Sequence, residues 1–202
     1  MNAATTALLL CDLQNDFVHP KGAYARANMG VPDIAALPGR LAPLAQALRA
    51  KGGASVATMF TLVPGRGGEP LIAPHLRDLR PFLAKGDFAP GSWGQATVDE
   101  LQPLDGAVEK IAYNAFWNTR LEWLLRQLGI EHLLVAGIVT NGGVASTLRD
   151  AHTRGFHVTL LSDGCAAFRR EVHDVTVASL ANLVKVATVA EAQGALAQGA
   201  LA

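Results

Sequence analysis

The chain has 202 residues, half of them hydrophobic, with basic and acidic residues balanced at 17 each. That length and apolar content suffice for one sizeable α/β core, so one domain over residues 1–202 is expected. The balanced charge gives no field for nucleic acid, no basic run marks a membrane surface, and no apolar run approaches the roughly 18 residues needed to span a bilayer. A small neutral or zwitterionic molecule is the better-matched partner. Cys11 and Cys165 lie in apolar surroundings without CxxC spacing, and the opening MNAATTALLL has neither a basic leader nor an A-x-A site. Both features point to the cytoplasm and reduced thiols.

In chain order, a buried strand is expected at Ala7–Leu10, a helix at Asp33–Lys51 and a strand at Ser55–Thr61. The segment 62–94 is rich in proline and glycine with little periodicity, which reads as a long excursion able to cover a site. A strand at Gly106–Ile111, a helix at Arg120–Leu128, a strand at His132–Gly137 and a helix at Gly143–Arg154 follow. The pattern closes with a strand at His157–Leu161, a helix at Arg170–Leu183, a short edge strand near Lys185–Thr188 and an Ala-rich final helix after Val189, suited to packing on another subunit. Alternating strands and helices predict a three-layer α-β-α sandwich around a mostly parallel, doubly wound sheet. In such a sheet the active site lies at the carboxyl ends of the strands. Asp12 falls just past the first strand, Lys110 near the end of the third, and Val139–Gly143 just past the fourth, so three distant segments converge on one edge.

The segments that carry these positions read DLQNDF from Asp12, EKIAYNAFWNT from Glu109 and GIVTNGGVASTLRDA from Gly137. Together they resemble the isochorismatase-like hydrolase superfamily across nearly the whole chain. It includes isochorismatase and cysteine amidohydrolases acting on nicotinamide, N-carbamoylsarcosine, ureides and biuret. The resemblance implies the three-layer fold, a small-molecule substrate and a homodimer or homotetramer. It aligns Asp12 with the catalytic aspartate, Lys110 with the catalytic lysine, and Gly143 with the nucleophilic cysteine, so the thiol itself is missing. It also implies a cis peptide before the threonine, here Ile138–Val139, and oxyanion donors at the amides near Thr140 and Gly143.

A cysteine needs a base to remove its proton and a positive charge to hold the thiolate, which is why aspartate and lysine accompany it. A helix N-terminus at residue 143 would assist both the thiolate and an oxyanion. An ion pair with Lys110 would favour charged Asp12. Neither remaining thiol replaces the missing one readily. Alternation turns Cys11 away from Asp12, and Cys165 follows Asp163-Gly164 near the same sheet edge.

Two enzymatic readings stay open. Isochorismatases also carry glycine there, and their aspartate protonates a vinyl ether, for which no nucleophilic side chain is required. Val139-Thr140-Asn141, however, is typical of the amidohydrolase branch, where loss of the thiol leaves either water activated by Asp12 or a binding-only protein. Phe17, Trp93, Asn114, Phe116, Trp117, Ile138, Val139 and Thr140 are the candidate substrate-binding residues, the aromatics among them serving equally well as core. Thr61-Leu62-Val63-Pro64-Gly65-Arg66 lacks the Asp-x-His of zinc nicotinamidases and His75 stands alone, so no metal or cofactor is expected. His132, His152, His157 and His173 read as surface or interface residues, while His19 follows the Asp12 loop and is within reach of the pocket. Arg149 and Asp150 read as a helix-surface ion pair or a subunit contact, and Gln14 and Asn15 as organisers of the loop.

Overall fold

The computed structural model describes residues 2–198. Among them, six strands form one parallel sheet in the order β3-β2-β1-β4-β5-β6: β1 (Thr6–Cys11), β2 (Ala54–Phe60), β3 (Gly106–Lys110), β4 (His132–Ile138), β5 (His157–Ala166) and β6 (Lys185–Ala187). The order reverses between β1 and β4. Such a switch point opens a crevice beyond the strands' carboxyl ends.

Helices take up both faces. Short helices α1 (Asn15–Val18), α2 (Ala23–Arg26) and α3 (Pro32–Ala35) lead into α4 (Leu37–Ala50). After α5 (Pro74–Leu79) come α6 (Leu121–Gln127), α7 (Ala145–Thr153), α8 (Arg170–Leu180) and α9 (Val189–Ala197). Period-two alternation in β1 distributes its side chains between two cores. Ala7, Leu9 and Cys11 pack with Leu125 of α6, Leu148 of α7 and Leu180 of α8, while Leu8 and Leu10 pack with Leu41 and Leu44 of α4 and Leu196 of α9. The result is the predicted three-layer sandwich.

Several boundaries differ from the sequence reading; the helix expected over 170–183, for one, ends at Leu180. The helix expected over 33–51 breaks after α3, because Pro38 has no N–H to continue a ladder and is accommodated in the first turn of a new helix. The helix expected from Gly143 starts instead as one π-helical turn, Thr140–Val144, that runs into α7. β5 continues past Leu161 to Ala166, with its pairing to β4 shifted between Val135 and Gly137. A third apolar cluster sits over the β2 end, where Phe60 and Tyr24 gather Leu62, Leu83 and Phe88 of the long excursion. That cluster seats the excursion on the carboxyl edge. No helix among the described residues is long and apolar enough to cross a membrane.

Candidate active site

Asp12 is the first residue beyond β1 and leaves the strand in the left-handed region, at φ 57°. Asp tolerates that conformation better than most side chains because its short polar group bonds locally. Its N–H donates to the Thr58 carbonyl at 3.0 Å and the Thr58 hydroxyl donates to Oδ1 at 3.0 Å. Lys110, the last residue of β3, brings Nζ to 2.6 Å from Asp12 Oδ2 and also donates to the Ala112 carbonyl at 3.0 Å. Both side chains are buried, 2% exposed for Lys110 and 8% for Asp12. β1, β2 and β3 thus assemble a desolvated ion pair by parallel register alone.

Gly143, in the π-helical turn beyond β4, faces this pair. A Cβ built on it would stand 3.2 Å from Asp12 Oδ2, 3.7 Å from Lys110 Nζ and 3.1 Å from the Ile138 carbonyl oxygen. The Ile138–Val139 peptide leading into the turn is cis. Burial pushes the Asp12 carboxyl above its usual range, outweighing Lys110 and the Thr58 hydroxyl, which act to lower it. That differs from the expectation that pairing would set the direction, since burial disfavours the anion more than the neighbouring cation favours it.

The excursion is pinned to the loop after Asp12 by the side chains of Gln14, Asn15 and Asp16. Gln14 donates to the carbonyls of Phe60 at 2.9 Å and Gln95 at 2.8 Å and accepts from the Phe60 N–H at 2.8 Å. Asn15 donates to the Trp93 carbonyl at 2.8 Å. Asp16 accepts from the N–H groups of Ala23 at 2.9 Å and Phe88 at 2.7 Å.

A cavity of about 30 Å³ opens over the pair, walled by Phe17, Phe60, Ile138, Val139 and Phe168 together with Leu76, Arg80 and Tyr113. Asp12, Lys110, Gly143, Phe17, Ile138 and Val139 therefore come together. Five other candidates are not on this cavity wall in the single chain. Thr140 is fully buried with its hydroxyl 2.8 Å from His173 Nδ1. Asn114 donates to Asp150 Oδ2 at 2.6 Å and accepts from the Phe116 N–H at 2.9 Å, which ties the β3 loop to α7. Phe116 packs in the core beneath the Arg154 guanidinium, 5.0 Å from its ring centroid. Trp117 is half exposed, and so is Trp93, edge-on to His19 with centroids 4.9 Å apart. His19 is engaged there and does not reach the cavity.

Other side chains also sit differently from the sequence reading. His173 is buried because it receives Thr140, and Asp150 pairs with Arg154 at 2.9 Å rather than with Arg149. Burial, with Asp12 adjacent, pushes the Cys11 thiol up to about 12, and burial raises Cys165 well above its ordinary value. Neither thiol is a nucleophile in that state. Leu76, Arg80, Tyr113, Phe60 and Phe168 escaped sequence reasoning. Tyr113 lies inside the E-K-x-x-Y-N segment and was available there, whereas Arg80 sits in an aperiodic stretch that offers no signal.

The isochorismatase domain model matches residues 6–192. Ureidoacrylate amidohydrolase RutB of Stutzerimonas stutzeri (strain A1501) is 36% identical over 172 residues, covering 78% of this chain and 66% of the relative, so the match spans about two thirds of that protein. RutB of Agrobacterium fabrum (strain C58 / ATCC 33970) is 31% identical over 99% of this chain and 93% of its own length. The crystal structure of a cysteine hydrolase from Pseudomonas syringae pv. phaseolicola 1448A superposes with a TM-score of 0.82 at 26% identity, covering 98% of this chain and 95% of that one. Sheet order, the motifs at the three strand ends and these matches agree, and the chain belongs to the isochorismatase-like hydrolase superfamily.

Proposed function

We propose that this chain, acting as one cytoplasmic domain, hydrolyses an amide or ureide C–N bond of a small molecule with Asp12 and Lys110 and without a covalent intermediate. The observation that carries the reading is the position of Gly143. The point its Cβ would take is within hydrogen-bond reach of Asp12 Oδ2 and of the Ile138 carbonyl, with Lys110 Nζ just beyond. In a cysteine hydrolase the nucleophile's side chain runs through that point; with glycine here, the space beyond it, over Asp12 and Lys110, is left to a water molecule.

Asp12 takes a proton from that water as its oxygen bonds to the carbonyl carbon, and the carbonyl becomes an oxyanion held by backbone amides such as those of Thr140 and Gly143. The C–N bond then breaks and the Asp12 proton passes to the leaving nitrogen. Lys110 holds Asp12 in place and offsets its charge. Burial favours the neutral acid, so Asp12 gains a proton more readily than an ordinary carboxylate, which suits a base that must also return it. The names of the RutB relatives make ureidoacrylate-like compounds the first substrates to try.

The raised Asp12 also favours a second reading, in which it protonates the carbon of a vinyl ether and water adds to the resulting cation. Ammonia release from small ureides and amides, beside pyruvate-type release from vinyl ethers, distinguishes the two. Turnover of a ureide that falls by about 10²-fold or more in Asp12→Asn is the expected result. A wild-type chain that turns over neither class leaves a small-molecule-binding member of the family.

A further inference from the structure

Arg80 is the cavity's one cationic wall residue, among those described, that has no acidic partner. No carboxylate lies within 4.0 Å of Arg80 among the described residues; the same holds for Arg40, Arg66, Arg77, Arg120 and Arg149, but of these six only Arg80 lines the cavity. Its Nε donates to the Tyr24 hydroxyl at 2.7 Å, and its guanidinium carbon lies 5.8 Å from the Tyr113 ring centroid. Tyr24 is only 1% exposed and is stacked on Phe168 at 5.3 Å with the rings nearly parallel, so it is a rigid anchor. Nε is taken by Tyr24 and Tyr113 flanks the guanidinium, whose remaining N–H groups are donors of the planar kind that matches a carboxylate.

The charges of the cavity point the same way. Asp12 and Lys110 cancel each other on the floor, and the walls between them and Arg80 are aromatic or aliphatic. Arg80 is thus a positive charge left over in a largely apolar enclosure. A half-buried cation facing apolar walls is compensated when the guest itself is an anion.

We infer that Arg80 is a specificity residue that binds a carboxylate of the substrate, placing the scissile group of a short organic acid against Asp12 and Gly143. This rests on the hydrolase reading for the scissile end only. The length of the guest is set by the apolar walls between the two polar ends. α5, which carries Leu76 and ends just before Arg80, buries none of its own residues, so it is the wall able to yield as a guest enters the small cavity.

Binding of 3-ureidopropionate and of its neutral amide, 3-ureidopropanamide, by titration calorimetry tests the assignment with wild type, Arg80→Gln and Arg80→Lys. Wild type is expected to bind the acid at least about tenfold more tightly than the amide, the difference one charge-assisted hydrogen bond provides. Arg80→Gln is expected to bring acid and amide to equal binding, with Arg80→Lys keeping part of the preference. Where turnover is measurable, the loss appears in KM for the acid and not in kcat. Equal binding of acid and amide by wild type, an unchanged preference in Arg80→Gln, or binding of neither compound overturns the assignment. Tight, Arg80-dependent binding of the acid without turnover retains the assignment and counts against the hydrolase reading for the scissile end.

Discussion

Asp12 and Lys110 depend on each other before either does chemistry. Each is buried, and each is the other's only charged partner among the described residues. Removing one member leaves the other charge uncompensated in a medium that solvates it poorly. Asp12→Asn is therefore expected to destabilise the fold by about 3–5 kcal/mol as well as to lower turnover. The double variant Asp12→Asn with Lys110→Met should recover much of that loss in urea denaturation. Additive losses would mean that the pair is not coupled. Gly143→Cys probes the same constellation from the opposite side. Its thiol would emerge beside the carboxylate and the ammonium, so alkylation by iodoacetamide is expected at residue 143 below neutral pH, with Cys11 and Cys165 protected by burial. A thiol at 143 that titrates at the free value of about 8.5 would show that the pair does not activate a nucleophile.

Elements rather than single residues bring these groups together, and one of them carries a pH dependence of its own. His132 opens β4 with its Nε2 2.9 Å from the Thr159 hydroxyl on β5 and its ring 6.2 Å from that of His157. Burial, then the neighbouring His157, lowers it from 6.5 to about 4. A histidine whose folded value lies below its unfolded one binds fewer protons when folded, so acid favours unfolding. Its contribution is intact above pH 6.5 and is lost as pH falls from there through about 4. His132→Gln keeps a side-chain partner for Thr159 and removes the titration, so the fall in stability across that window should be shallower than in wild type. An identical slope would assign the acid sensitivity elsewhere. The strands that position Asp12, Lys110 and Gly143 were legible in the sequence because buried parallel strands are short apolar runs and their ends carry the polar motifs. The π-helical turn was not, since its local pattern is that of any helix start. The cavity's wall was legible only in part. Tyr113 sits in a readable motif, but Arg80 acquires its place through Tyr24 of the aromatic cluster with Phe60 and Phe88, which joins residues distant in sequence.

At the scale of the whole molecule, the single chain leaves apolar surface that its own cores do not use. Trp123 is 62% exposed, Trp93 52% and Trp117 50%, although indoles bury well and lose free energy in water. Trp117 and Trp123 lie on either side of the start of α6, and Trp117 belongs to the segment between Lys110 and α6 that also carries Tyr113 of the cavity wall. Three indoles left in solvent are better explained by a second copy than by chance, since large exposed aromatics cluster where proteins meet. We propose that the chain assembles as a homo-oligomer through this region, with the neighbour lying next to the cavity mouth. Sedimentation velocity at micromolar concentration should then give a species of at least twice the 21.2 kDa chain mass. The double substitution Trp117→Asp and Trp123→Asp should return it to one chain with the far-ultraviolet circular dichroism of wild type, because neither side chain belongs to a core. Wild type sedimenting as a single 21.2 kDa species would refute the assembly, and an oligomer untouched by both aspartates would move its interface away from α6.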